Sequence, residues 1–375
     1  MFSDLKVLEL ASVLAGPSVG QFFAELGAEV IKVENPATGG DVTRSWKLAG
    51  EQTDDRSAYF CSVNWGKKSV ALNLGNSRDR EVVYKLVKQS DIVIASYKPG
   101  DAEKLGVDYE SLSSMNPRIV YGLITGYGQD NARVGYDAII QAETGYMYMN
   151  GEPGGASLKM PVALVDVLAA HHLKEGILLA LLNRERTGKG DRIAVSLIQA
   201  AVASLVNQAT NWLVAGVLPQ KQGSSHPNIA PYGDVFRTAD GKDILLAVGS
   251  DRQFRDLCTL LDIETIADDD RFKTNAARVV HRVELNSILQ SQMILKHADV
   301  LMTSIHESKI PAGFIQNMQQ VFETPEAKAL LLVQRGIAGV RSFVAQGENL
   351  KTQSTLTSPP HLGEHTHEVT QRLGS

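Results

Sequence analysis

Cysteine is nearly absent from this chain: Cys61 and Cys258 are the only two in 375 residues, and they lie far apart at no metal-ligand spacing. A disulfide-framed secreted domain is thereby excluded, and a reducing cytoplasm is the expected compartment. A charge excess of one sign is also missing. The 37 Lys and Arg against 42 Asp and Glu leave a formal charge of −5, with no basic surplus for wrapping a polyanion, so nucleic acid is not an expected partner. No apolar run is long enough to cross a bilayer, and no membrane partner is expected. The first ten residues carry Asp4, Lys6 and Glu9 where a signal peptide needs an apolar core. Two nucleotide-binding signatures are lacking as well. Ala15-Gly16-Pro17-Ser18-Val19-Gly20 has no three-glycine dinucleotide fingerprint, and the stretch from Gly100 to Lys104 lacks the Walker pattern.

What is present is an alternation of short apolar runs with helical patterns. Leu5 to Leu10 reads as a buried strand. Ala15-Gly16-Pro17 breaks it, and Pro17 suits the first turn of a helix, where its missing N–H costs nothing. Val19, Phe22, Phe23 and Leu26 then recur at helical spacing before Gly27, and Val30 to Val33 supplies the next strand. The cycle repeats with the strand Ser69 to Leu74, a helix from Arg78 to Lys88, and the strands Ile92 to Ile94 and Ile119 to Ile124. This spacing predicts an α/β fold with a Rossmann-like parallel sheet, buried on both faces and binding ligands at the carboxyl ends of its strands. From Val162 a strand-like stretch runs into an apolar helix ending near Asn183. The turn Thr187-Gly188-Lys189-Gly190 leads to a strand from Asp191 to Leu197, and a helix follows from Gln199 to Val214. After the polar segment Gln220 to Asn228 a hairpin is expected (Val235 to Arg237, then Ile244 to Val248), followed by helices from Asp251, Asp268 and Arg278. The expected division is a large domain from residues 1–198 and 313–375, a linker helix and loop over 199–227, and a small α+β domain over 228–312.

Asp166 interrupts the apolar sequence Val162-Ala163-Leu164-Val165-Asp166-Val167-Leu168 at a strand-to-helix junction. Composition alone favours a helix cap there over a catalytic role. Asp137, beside Tyr136, reads equally well as a turn residue. Lys67, Lys68, Lys98 and Lys104 are ordinarily solvated, yet their places next to strands allow them to converge on one sheet edge where phosphates bind. His361, His365 and His367 form the one dense histidine group. A metal there would need a further ligand, and a polar terminal segment accounts for it as well.

Taken together, the pieces resemble the class III CoA-transferases, or CaiB/BaiF family, over nearly the whole chain. The resemblance rests on Leu14-Ala15-Gly16-Pro17, on Leu26-Gly27-Ala28-Glu29-Val30-Ile31-Lys32-Val33-Glu34 and on Gly40-Asp41-Val42-Thr43-Arg44. It continues through Asn64-Trp65-Gly66-Lys67-Lys68-Ser69, Lys98-Pro99-Gly100, Lys104-Leu105-Gly106, Gly135-Tyr136-Asp137, Thr187-Gly188-Lys189-Gly190, Asn228-Ile229-Ala230-Pro231-Tyr232 and Asp240-Gly241. Their order and spacing carry it, not any single piece.

By this resemblance Asp166 is the acyl-carrying carboxylate, a role that reverses the reading from composition. Coenzyme A or acyl-CoA is implied as substrate, with no permanently bound cofactor and no metal. The CoA site would take Leu14 near the first turn, Leu72 and Leu74 against the adenine, Ser96, Tyr97 and Lys98, and Lys104 at a phosphate, with Tyr136 and Asp137 completing it. Ala95-Ser96 stands where many members have Glu-Asn, and Asn35 where some have an arginine. The glycine-rich flap is reduced to Gln222-Gly223-Ser224-Ser225. An interlocked homodimer is implied too, and the smaller domain and the ending Pro359 to Thr366 are most similar to those of transferases using succinyl-CoA and dicarboxylic acids. The rivals are an α-methylacyl-CoA racemase-like isomerase and a CoA-binding dimer without turnover. Racemase relatives place a histidine where this chain has Tyr136, and a tyrosine of ordinary pKa, about 10, is a poor base at neutral pH.

Overall fold

The computed structural model describes residues 1–374. The chain forms two compact units, one of residues 1–146, 159–216 and 328–375, the other of 147–158 and 217–327. These divisions differ from the expected boundaries at 198, 228 and 313. The short strand Ala312–Phe314 (β9) pairs antiparallel with Asp243–Ala247 (β8), which itself pairs with Tyr232–Arg237 (β7), so the smaller sheet draws the chain beyond residue 313 into the second unit. Around that sheet lie the helices Asp251–Leu260, Asn275–Val280, Arg282–Met293 and Ala298–Glu307, packed on a core that includes Phe236, Leu246, Phe254, Leu257 and Leu289. The helix expected from Asp268 is instead a 3₁₀ turn over Glu264–Asp268; Thr274 then caps the next helix by accepting the Ala277 N–H.

The first unit holds a six-stranded parallel sheet in the order β3-β2-β1-β4-β5-β6, formed by Lys6–Leu10 (β1), Glu29–Glu34 (β2), Lys67–Ala71 (β3), Ile92–Ala95 (β4), Val120–Thr125 (β5) and Asp191–Ser196 (β6). Alternation along the strands feeds two cores. Val7, Val30, Ile92 and Val120 pack against the helices Ala15–Glu25 and Leu164–Thr187. Leu8, Ile31, Val93 and Tyr121 pack on the other face against the helix Ser77–Val87 and the helix Tyr109–Met115. Burial on both faces is why these strands read as apolar runs and not as alternating ones. Gly16, inside the first helix, permits its close approach to the sheet: a Cβ there would lie 2.3 Å from Ala11 Cβ.

Two expectations fail locally. Val162 to Val165 is no strand; the 24-residue helix starts at Leu164 and runs to Thr187. Val165, Ala169, Leu173 and Ile177 are buried at four-residue spacing, while Leu178, Leu179 and Leu182 are exposed, so the run is apolar on both sides and its period is hidden. The single helix expected over 199–214 is two, Leu197–Ala203 and Val206–Leu213. Among the described residues no helix is long and apolar enough to cross a membrane.

Candidate active site

The order in which strands are added to this sheet reverses between the parallel neighbours β1 and β4, and the loops leaving their carboxyl ends diverge to open a crevice. Ser12 to Gly16 come from the β1 side, Ser96 to Pro99 from the β4 side, and with Gly126, Arg133 to Tyr136 and Asp166 they line a cavity of about 290 Å³. Ser12 N–H donates to Ser96 Oγ at 3.2 Å, tying the two loops together. Gly126 and Gly135 close the neck of the third loop; a Cβ on Gly126 would come within 2.8 Å of the Gly135 backbone. That approach brings Tyr136, 56% exposed, to the cavity.

The β1 turn is strained. Val13 is β-branched and has φ +72°, a conformation that costs such a residue about 1–3 kcal/mol. Behind it runs a buried chain of charges. Lys32 Nζ on β2 reaches Glu9 at 2.9 Å, Asp41 at 2.9 Å and the Ala11 carbonyl at 2.7 Å. Lys67 on β3 reaches the other oxygen of Glu9 at 2.7 Å and donates to the Pro17 carbonyl at 2.9 Å. Burial pulls the Lys67 amine down to about 8 against the opposing pull of Glu9. For Lys32 burial also lowers, but Glu9 and Asp41 outweigh it and the amine is held above its usual range. Burial would raise Asp41, yet Lys32 and the Thr43 donors bring it below its ordinary value. Past the turn, Leu14 caps the first helix without a side-chain bond. Ala15 and Gly16 contribute N–H groups that have no acceptor among the described residues, since the first internal bond runs from Ser18 to Leu14.

Asp166 lines the same cavity from the first turn of the long helix, 8% exposed. No protein donor among the described residues bonds its carboxylate, and burial, then the nearby Asp137 carboxylate, push it up to about 7. Its expected capping role belongs to another residue. Asp137 Oδ1 accepts the Val165 N–H at 2.9 Å and Oδ2 accepts Gln141 Nε2 at 2.8 Å, so Asp137 is buried under the helix start and does not line the cavity. Tyr59 belongs to the same neighbourhood. Burial, and after it the fields of Asp166, Asp137 and Asp41, raise its phenol to about 12, and its ring meets Trp46 edge-on at 5.1 Å.

Of the residues singled out from the sequence, Leu14, Ser96, Tyr97, Lys98, Tyr136 and Asp166 line this one cavity. Leu72 and Leu74 do not: β3 ends at Ala71, and both side chains turn into the core around Val70 and Val83. Lys104 is exposed and paired with Asp101 at 3.1 Å, outside the cavity. Lys67 and Lys68 belong to no phosphate edge; the first is fully buried on Glu9 and the second pairs with Glu29 and Glu368 near the amino end of β3. The histidine group separates, with His361 on Asp55 and His365 Nδ1 accepting the Ser69 N–H. Sequence reading missed Tyr59, Asp41 and Lys32 as parts of the site. The signals available were Lys32, a charge inside an apolar strand, and Asp41, which the motif Gly40-Asp41-Val42-Thr43-Arg44 contains.

The whole chain bears comparison with known proteins. A family model described as CoA-transferase family III matches residues 2–366. The succinate–glutarate CoA-transferase of Agrobacterium fabrum is 39% identical over 99% of this chain and 95% of its own length. The mouse succinyl-CoA:glutarate CoA-transferase is 34% identical over 98% of this chain and 85% of its own. A crystal structure of a CaiB/BaiF family protein from Brucella suis superposes with a TM-score of 0.88 at 38% identity, covering 98% of both chains. With such agreement along its full length, the chain belongs to CoA-transferase family III and is a CoA-transferase.

Proposed function

We propose that the protein moves CoA from succinyl-CoA or a similar acyl-CoA to a small dicarboxylic acid, with Asp166 as the acyl carrier. The observation that carries this reading is a buried carboxylate with no hydrogen-bond donor among the described residues, in a cavity that Ala15 and Gly16, whose N–H groups are unused among those residues, also line. An Asp166 oxygen attacks the thioester carbonyl, the C–S bond breaks, and CoA thiolate leaves a mixed anhydride of Asp166 and the donor acid. The thiolate then attacks the aspartyl carbonyl, which frees the donor carboxylate and leaves an aspartyl-CoA thioester. An acceptor carboxylate attacks that thioester, expelling CoA thiolate, and the thiolate takes the acceptor's acyl group from the second anhydride and restores Asp166. Each attack builds negative charge on a carbonyl oxygen, which backbone N–H donors at a helix start stabilise. CoA enters as substrate, and the exposed Lys98, without an acidic partner among the described residues, is the proposed contact for its phosphates.

Dicarboxylate acceptors are supported by the relatives' activities; Arg133 also lines the cavity, but its guanidinium is already paired with Glu143 and stacked on Tyr127. A homodimer is proposed on the resemblance and on the large apolar side chains left exposed at Leu179, Leu182, Trp212, Leu213 and Val214. The test is to incubate the purified protein with succinyl-CoA or acetyl-CoA and a panel of mono- and dicarboxylic acids, reading product CoA esters by mass. Glutaryl-CoA and related dicarboxylyl-CoA esters are expected from succinyl-CoA. Transfer only to monocarboxylic acids would overturn the acceptor class. Scrambling at the α-carbon of a 2-methylacyl-CoA without any acceptor would replace the transferase mechanism.

A further inference from the structure

We propose that Asp41 is a positioning residue of the transfer reaction. It acts through Val13, holding the β1 turn in the conformation that presents the N–H groups of Ala15 and Gly16 to the cavity that Asp166 also lines. This rests on the reading of Asp166 as acyl carrier.

The turn from Ala11 to Leu14 contains no glycine, although Val13 sits at φ +72°, where glycine is unstrained and a β-branched residue is not. Left alone, such a residue relaxes to extended backbone, and rotation at Val13 swings the start of the following helix. Two buried groups oppose that relaxation. Both carboxylate oxygens of Asp41 accept the Val13 N–H, each at 3.2 Å. Lys32 Nζ holds the Ala11 carbonyl at 2.7 Å and Asp41 itself at 2.9 Å, so the backbone is pinned on both sides of Ser12 by one ion pair. Asp41 is in turn fixed by Thr43, whose N–H and Oγ1 donate to Oδ1 at 3.1 and 2.8 Å. It is 4% exposed and does not line the cavity, so it touches no substrate there. Its chemistry reaches the reaction only through the backbone it restrains. A group aligned with a developing oxyanion needs placement within a fraction of an ångström, and a turn held against its own preference places it only while the restraint lasts.

A double-mutant cycle separates this role from plain support of the fold. Asp41→Asn, Val13→Gly and the double variant are compared with the unmodified enzyme for kcat at saturating acyl-CoA, for KM and for melting temperature. Asp41→Asn alone is expected to lower kcat at least tenfold while KM for acyl-CoA changes less than threefold. In the Val13→Gly background, where the left-handed turn no longer needs forcing, the same substitution is expected to lower kcat less than threefold. The fall in melting temperature should be similar in both backgrounds. An equal kcat loss in both backgrounds, or a melting-temperature loss with kcat untouched, overturns the proposal. Should Asp41→Asn fail to fold, Thr43→Val, which removes the hydroxyl holding Oδ1, enters the cycle with the same expected coupling and the same overturning result. Labelling of Asp166 by acyl-CoA and hydroxylamine is recorded on all four proteins. If the unmodified enzyme transfers CoA without labelling Asp166, it is the acyl-carrier reading that fails, and the cycle still reports whether Asp41 and Val13 are coupled.

Discussion

Asp41 and Asp166 are both almost withdrawn from water within one unit, at 4% and 8% exposure, and the protein treats them in opposite ways. Asp41 is saturated: a lysine, two backbone N–H groups and a hydroxyl occupy its oxygens, and its proton affinity falls. Asp166 receives no donor among the described residues and has a second carboxylate nearby, and its proton affinity rises to about 7. Burial alone disfavours the ionised form of both. What separates them is the presence of partners. The first arrangement stores stability and places a strained turn; the second gives up stability and keeps a carboxylate unsolvated, the state in which it is a strong nucleophile toward a thioester.

Breaking the saturated region has the larger expected effect. Lys32→Met leaves Glu9 and Asp41 buried without their shared cation, and removing one member of a buried ion pair costs about 3–5 kcal/mol. Urea unfolding at neutral pH should show that loss as a lower midpoint with little change in slope. A loss under about 1 kcal/mol would mean that Lys67 alone satisfies Glu9. The unsolvated region should respond with the opposite sign. Because the Asp166 value is raised from the ordinary 3.8 to about 7 in the folded protein, folding holds a proton there that the unfolded chain releases. That contribution is fully present below about pH 4 and is lost as the pH rises through 7. Asp166→Asn escapes the loss. It should be nearly neutral for stability at pH 4 and stabilising above pH 7.5, by about 4 kcal/mol at most, while abolishing transfer. Melting curves of the two proteins across that range check it, and a variant less stable than its parent at pH 8 would contradict it.

Much of this fold was legible in the sequence because strands buried on both faces declare themselves as short apolar runs between turns, as at Leu5 to Leu10 and Ile119 to Ile124. The strand order that opens the crevice was not, since it is fixed by pairings such as Leu10 with Ala95 that join residues far apart in the chain. Asp166 was legible as a lone carboxylate in an apolar run, although the run is a helix apolar on two sides. Asp137 was misjudged for a similar reason: its neighbour Tyr136 faces the cavity while its own carboxylate faces the backbone of a helix that begins 27 residues later. Leu72 and Leu74 were assigned to the adenine on the family resemblance; β3 ends at Ala71, and both side chains pack into the core with Val70 and Val83. Asp41 stood inside the Gly40-Asp41-Val42-Thr43-Arg44 motif, which gave it no role of its own. Its partners Val13 and Lys32 meet it only after the sheet has formed.

The account's central claim is that the unpartnered Asp166 carboxylate carries the acyl group, and the most direct measurement is to trap it. The protein is incubated with succinyl-CoA and hydroxylamine between pH 5.5 and 8.5, digested, and the hydroxamate located and quantified by mass spectrometry. The account predicts label at Asp166, scarce at the acid end and rising with a midpoint near pH 7 as the carboxylate ionises. Active enzyme that forms product without hydroxamate at Asp166, or that carries it on another carboxylate, would contradict the claim.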